Sequence, residues 1–272
     1  MALTKVIGNG LGAVTQDGAA TFNESSADVD FRIESNSNAN MFFVDAGNDK
    51  IGINTNAPNR MLGIENGDVQ IHETGSSDPL LQFSVGNTQA SPTQSYSLRI
   101  DNSDSDKFQL INGTSGAVAL SVDTTGAITK PLQPAFLVQP TSAQSDVPHG
   151  ANQTVVFNNE RFDQNSDFNS SNYTFTAPVT GKYFLSYSLW VSNIDNQPSY
   201  WETYIITSNR NYLYTIDPRA FDQDAGSFTF NNSLIADMDS GDTAKIQILQ
   251  QNSGTEQSDI QNYSFFSGAL IC

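Results

Sequence analysis

Apolar positions fall into two regimes along the chain, changing near residue 130. Up to Thr129, short apolar runs alternate with turn residues: DFRIES, MFFVDAG, KIGINT, RMLGIENG, DVQIHE, LLQFSVG, YSLRIDN, FQLING and VALSVDTTG. Runs this short, alternating or compact, predict short β-strands. The Asn-Gly and Ala-Gly-Asn-Asp segments closing them predict turns, because Gly and Asn accept positive φ. Phe42–Gly52 (FFVDAGNDKIG) and Leu120–Lys130 (LSVDTTGAITK) share a Val-Asp, turn, strand pattern, which predicts a duplicated hairpin unit. Later segments are longer and richer in aromatics: YTFTAPVTGKYFLSYSLWVS, YWETYIIT, YLYTI, SFTFNNSLIADM and TAKIQILQQ. With no helical period between them, they predict an antiparallel sandwich or jelly roll.

Each early strand buries too little apolar area to offset the entropy of ordering it. Winding three copies together closes the open edges, so the pattern predicts an elongated trimeric stalk. Thr129–Gln144 (TKPLQPAFLVQPTSAQ) carries prolines at 131, 134 and 140 and predicts a stiff connector. The chain therefore divides into an N-terminal docking segment (1–30), a β-rich trimeric stalk (31–130) and a C-terminal domain (131–272).

Composition sharpens the fold class to all-β. Charged residues make up only 15%, and Ala/Leu/Glu/Lys helix-forming runs are missing. The 12 Lys+Arg against 29 Asp+Glu give a net charge of −17. That charge disfavours phosphate backbones and anionic lipid, so neither nucleic acid nor membrane is an expected partner. No apolar run approaches the length of a membrane helix. The start, MALTKVIGNGLGAV, is too weak for a signal peptide. The one cysteine, Cys272, allows no intrachain disulfide and reads as a packed or incidental terminal residue.

In GKYFLSYSLW the odd positions Tyr183, Leu185, Tyr187 and Leu189 share one face and should bury. The other face (Phe184, Ser186, Ser188) mixes an aromatic with small residues and suits a subunit contact. Phe157, Asp163, Phe168, Phe175, Gly181, Tyr183 and Tyr187 stand at the spacing of the C1q globular-head signature, with Leu185 where that pattern usually has Phe. PAFLVQ (Pro134–Gln139), MDSGDTAKIQI (Met238–Ile248) and YSFFSGALI (Tyr263–Ile271) resemble further strands of the same family, in the same order. The resemblance implies a ten-stranded jelly roll of the tumour-necrosis-factor-like superfamily, forming compact homotrimers, with Ala135–Val138 beside Phe265–Leu270. It places Phe157, Phe168, Phe175, Tyr183, Leu185, Tyr187, Phe265 and Phe266 in core or trimer packing. The N-terminal half (DFRIESNSNANMFFVDAGNDKIGINTNAP) resembles segments of phage tail-fibre proteins, and MALTKVIGNGLG resembles the start of a virion fibre.

Catalytic chemistry is thin. His72 and His149 lie in different halves among turn residues and predict solvated loops, not a base or a zinc site. GNGLGAV lacks dinucleotide-binding spacing. Paired acids occur at Asp222/Asp224 and at Asp237/Asp239/Asp242. They leave open a weak calcium site at Asp222 and Asp224, the one cofactor considered, and a polysaccharide hydrolase.

The expectation is a non-catalytic homotrimeric virion fibre, a bacteriophage tail fibre, docked to the particle's tail or head protein at its N-terminus. It would be made in the host cytoplasm, with the C-terminal knob meeting host glycan or protein through many weak contacts. Loops NQPSYW, SNRNY and FDQDAG supply the contact candidates Asn196, Tyr200, Trp201, Asn209, Arg210, Tyr212, Asp222 and Asp224. Tyr200, Trp201 and Tyr212 read equally well as core or interface residues. Alternatives are a head-decoration fibre, a virion connector without receptor binding, and a secreted C1q-like lectin.

Overall fold

The computed structural model describes residues 28–86, 91–251 and 258–272. Nearly all of the segment expected to dock (1–30), with its MALTKVIGNGLG phrase, lies outside the described residues. The regular structure described is β apart from one short 3-10 turn at Pro218–Ala220. No helix among the described residues is long and apolar enough to cross a membrane. The chain forms two compact units, one ending at His72 and the other beginning at Glu73.

The first unit holds one four-stranded sheet: β1 (Phe31–Ile33), β2 (Phe42–Asp45), β3 (Lys50–Ile53) and β4 (Leu62–Ile64). Its pairs are antiparallel except β3 with β4, which is parallel. Phe43 is buried, while Ile33, Met61 and Leu62 remain exposed.

In the second unit, β5 (Leu80–Val85), β6 (Gln94–Asp101), β7 (Lys107–Asn112), β8 (Val118–Val122) and β9 (Ile128–Thr129) form an antiparallel meander. Alternation puts Ser97, Arg99 and Asp101 on one face, where register sets Gln109 opposite Arg99 and Ser121 opposite Gln109. Arg99 organises this polar face, contacting Asp78 at 2.9 Å, Asp101 at 2.6 Å and Gln109 at 2.8 Å. The Ser103 hydroxyl, with Arg99 and two backbone N–H groups, holds the Asp101 carboxyl below its ordinary range against the opposing effect of burial. The two similar phrases of the sequence both form antiparallel hairpins, β2–β3 and β8–β9. Each turn is tied by its aspartate: Asp45 accepts from the Asn48 N–H at 3.0 Å, and Asp123 from Thr125 and Ala127 at 2.8 and 2.9 Å.

The remaining strands are β10 (Ala135–Gln139), β11 (Gln144–Val147), β12 (Gln153–Thr154), β13 (Asn159–Gln164), β14 (Phe168–Asn169), β15 (Thr174–Thr176) and β16 (Gly181–Ile194). They continue with β17 (Trp201–Thr207), β18 (Asn211–Ile216), β19 (Ala225–Met238), β20 (Thr243–Gln250), β21 (Ser258–Ile260) and β22 (Phe265–Leu270). One sheet runs β11-β21-β16-β22-β10-β13 with β19 on the free edge of β16. The other runs β14-β15-β20-β17-β18, with β12 on β20. Together they make a jelly roll.

The predicted side of β16 is buried throughout: Tyr183, Leu185, Tyr187, Leu189 and Val191 all face the core. Around Phe136 the core is aromatic, with ring centroids at 4.7 Å to Phe175, 4.9 Å to Phe266 and 5.4 Å to Phe168. First and last strands pair as expected, Ala135 opposite Ala269 and Val138 opposite Phe266. Gly268 makes this pairing possible, since a Cβ there would lie 2.7 Å from the Phe136 ring and 2.8 Å from a Leu185 methyl.

Gly268→Ala should therefore cost about 1–3 kcal/mol in urea unfolding by overpacking. Asp101→Asn should cost about 1–3 kcal/mol at pH 7 through its lost charge-assisted hydrogen bonds. Because the folded carboxyl titrates below the unfolded one, its contribution is complete above about pH 4 and is lost as pH falls further. An acid titration of unfolding midpoints should show a smaller loss below about pH 4 in the variant than in the natural chain.

Candidate functional site

Strand direction assigns the described loops that reverse the chain to one of two ends of the jelly roll. The chain comes in at Ala135, which lies beside Ala269, while Tyr183 pairs with Leu270 and Gly181 with Met238. These residues mark a proximal end, which also holds the turns at 178–180, 208–210 and 239–242. The distal end lies beyond Ile194, Trp201, Ala225 and Gln250, and carries loops 195–200 and 217–224.

Two of the three predicted contact loops meet at the distal end. The Asn196 N–H donates to Asp224 Oδ1 at 2.9 Å, and its side-chain amide donates to the Phe221 carbonyl at 3.4 Å. Below them the buried Asp195 accepts from the Gln197 N–H at 2.7 Å and fixes the start of the loop. Asp217 closes the other side, accepting from the Arg219 N–H at 3.1 Å and pairing with its guanidinium, whose hydrogen bond lowers the carboxyl's pKa. Asn196 and Tyr200 on one loop and Asp222 and Asp224 on the other thus lie at the same end.

The other four candidates lie elsewhere. Trp201 is 0% exposed and stacks on Phe230 at 6.1 Å, its indole N–H donating to the Asp195 carbonyl at 3.3 Å. It is a core residue, because strand alternation turns it inward with Thr203 and Ile205. Tyr212 is half-buried against the same core. Asn209 and Arg210 sit at the proximal end, where Asn209 donates to Asp242 at 2.9 Å and Arg210 pairs with Asp237 at 3.0 Å. Asp242 also accepts from the Asp239 N–H at 2.8 Å, so this acidic group is turn structure. No cluster of three His, Cys, Asp or Glu side chains among the described residues is placed to hold a metal ion, at Asp222 and Asp224 or elsewhere. His72, His149 and Cys272 are exposed.

The structure adds an aromatic pair that the sequence reading missed. On the outward face of β16, four residues before its distal end, Trp190 lies 5.8 Å from Tyr263 at 34°, with Tyr263 74% exposed. The backbone beneath is fixed: the Gln261 N–H donates to the Trp190 carbonyl at 2.8 Å, and the Trp190 N–H to Ser264 Oγ at 3.0 Å. The available signal was a tyrosine inside the turn QNYS, where no core position calls for one.

A second surface covers the outward face of β16. Phe184 and Ser186 lie opposite Ile235 and Ser233 on β19 and opposite Ala269 and Ser267 on β22. Ser188 stands beside Phe265, and Leu137 on β10 lies opposite Phe162 on β13. Phe162, Phe184 and Ile235 are exposed and Phe265 is half-buried, whereas Phe157, Phe168, Phe175 and Phe266 fill the core.

The C1q domain family matches residues 135–271, half of the chain. The chain belongs to the C1q domain family. Its signature residues are accounted for by the C1q jelly roll itself. Asp163 receives the N–H groups of Asp167 and Phe168 at 3.1 and 2.8 Å and closes the turn before β14. A side chain at Gly181 would lie 2.6 Å from the Cys272 carbonyl, which accepts from the Lys182 N–H at 2.7 Å. C1q/TNF-like domains are usually homotrimeric and typically non-catalytic. The globular domain of zebrafish complement 1qA aligns over 52% of this chain and 98% of its own, at 21% identity and TM-score 0.40. Murine APRIL, in its pH 8.0 crystal structure, aligns over 51% and 99%, at 10% identity and TM-score 0.39. No curated protein matches the chain.

The joined distal loops give a direct check. Asp224→Ala should accelerate amide exchange at Asn196 about tenfold, the loss of about 1.5 kcal/mol of hydrogen-bond protection. Unchanged exchange would show that the two loops are not tied.

Proposed function

We propose that the protein is a non-catalytic homotrimeric fibre of a virus particle, a bacteriophage tail fibre, whose C1q domain attaches to the host cell surface. The carrying observation is the polarity of the jelly roll. The chain comes in at one end, while the loops carrying Asn196, Tyr200, Asp222 and Asp224 lie at the other. A trimer presents three such ends together, so weak individual contacts add up through avidity.

The chemistry favours surface glycan as the ligand. The exposed Trp190–Tyr263 pair offers π-faces to the C–H side of a sugar ring, and the amides and carboxylates of loops 195–200 and 217–224 offer hydrogen bonds to hydroxyls. Assembly uses the proximal part of the outward face of β16, short of Trp190, where serines at 186, 188, 233 and 267 permit close approach and Phe184, Ile235 and Phe162 supply apolar area. The β-rich region before residue 131 is the stalk, and its N-terminal part docks on the particle. The resemblance to tail-fibre segments at DFRIESNSNANMFFVDAGNDKIGINTNAP supports that placement.

Ile235→Asp places a charge on a side chain 62% exposed in the single chain. It should shift the mass in light scattering from three chains towards one while leaving the near-ultraviolet signal of the core unchanged. For attachment, saturating full-length protein should block adsorption of particles to the host, and Tyr263→Ala should need at least tenfold more protein for the same block. Adsorption indifferent to the natural protein would remove the attachment role.

A further inference from the structure

The five-stranded sheet of the second unit has its faces arranged the wrong way round for a solitary chain. Its polar face is the enclosed one: Ser95, Ser97, Asp101, Gln109 and Ser121 are all buried around Arg99. The opposite face is apolar and open. Leu81, Phe83 and Val85 on β5, Tyr96 and Ile100 on β6 and Phe108 on β7 all point to it and are all exposed. Cross-strand register sets Phe83 opposite Tyr96 and Ile100 opposite Phe108, so these side chains form one continuous surface. Soluble monomers rarely leave so large an apolar sheet face in water.

We infer that this face is an interface between copies of the chain, the apolar sides of three sheets packing together with their Arg99 faces outward. The inference rests on the homotrimer proposed above and adds a second contact to it. Two observations select the same chain as occupant. The first is tethering: β9 ends at Thr129 and β10 begins at Ala135. The connector between them is pinned to the jelly roll, as Gln164 Nε2 donates to the carbonyls of Lys130 at 2.9 Å and Gln133 at 2.8 Å. Trimeric jelly rolls therefore hold three such sheets at an effective concentration on the order of millimolar. The second is charge. The chain carries −17, yet the apolar face bears no charged side chain among the described residues of its strands, so identical faces meet without repulsion.

The test uses the full chain carrying Cys272→Ser. Gln82 and Phe83 are adjacent on β5, point to opposite faces, and are both exposed in a single chain, Phe83 at 60%. In the trimer, Phe83→Cys should react with a maleimide at least tenfold more slowly than Gln82→Cys. A short bis-maleimide should join Phe83→Cys chains, and not Gln82→Cys chains, into covalent dimers. Should Phe83→Cys lower the trimer fraction, Val85→Cys on the same face takes its place. A trimer with equal reaction rates overturns the sheet interface and leaves the homotrimer intact. Protection without cross-linking shows another segment or partner on the face and overturns it too. A monomeric mass overturns the sheet interface together with the homotrimer.

Discussion

Everything in the C-terminal domain depends on the two-sided burial of β16. Its fourteen residues are hydrogen-bonded to β19 along one edge and to β22 and β21 along the other. One face drives Tyr183, Leu185, Tyr187, Leu189 and Val191 into the space between the sheets. Fully burying side chains of this size is worth about 1.5–3 kcal/mol each, so this strand is a main source of the domain's stability. Tyr187 shows how completely water is excluded: burial raises its hydroxyl pKa to about 12, and the hydroxyl is satisfied by Thr203 on the facing sheet. Once β16 is fixed, its outward face presents Phe184 and the serines, and its far end leads into loop 195–200.

The same logic explains what could be read directly from the residues. Strict alternation through GKYFLSYSLW and the spaced signature aromatics specify the strand, its buried face and the jelly roll. Chain end-to-end order was equally within reach. β16 and β17 each cross the domain once, so the loop after β16 is distal and the loop after β17 is proximal. Counting crossings separates Asn196 from Asn209 and Arg210, although all three sit in similar polar segments.

Other features were hidden for physical reasons. Trp201 directly follows a polar loop, and only the pairing of β17 with β20 and β18 reveals that its side turns inward. Tyr263 is one aromatic in a turn, and its partner Trp190 is seventy-three positions away; their meeting exists only in three dimensions. In the five-stranded sheet, alternation predicts strands correctly but does not say which face is enclosed. Serines and Gln109 lie on the buried side there because Arg99 and its carboxylates satisfy one another.

The outward faces of β16 and of the smaller sheet both carry apolar side chains exposed in a single chain, and the proposed homotrimer covers both. The most direct test is the molar mass of the natural full-length protein by sedimentation equilibrium. Three chains of 29.5 kDa should give a single species near 88.5 kDa that persists on dilution. A species of 29.5 kDa would leave both apolar faces in water and contradict the account.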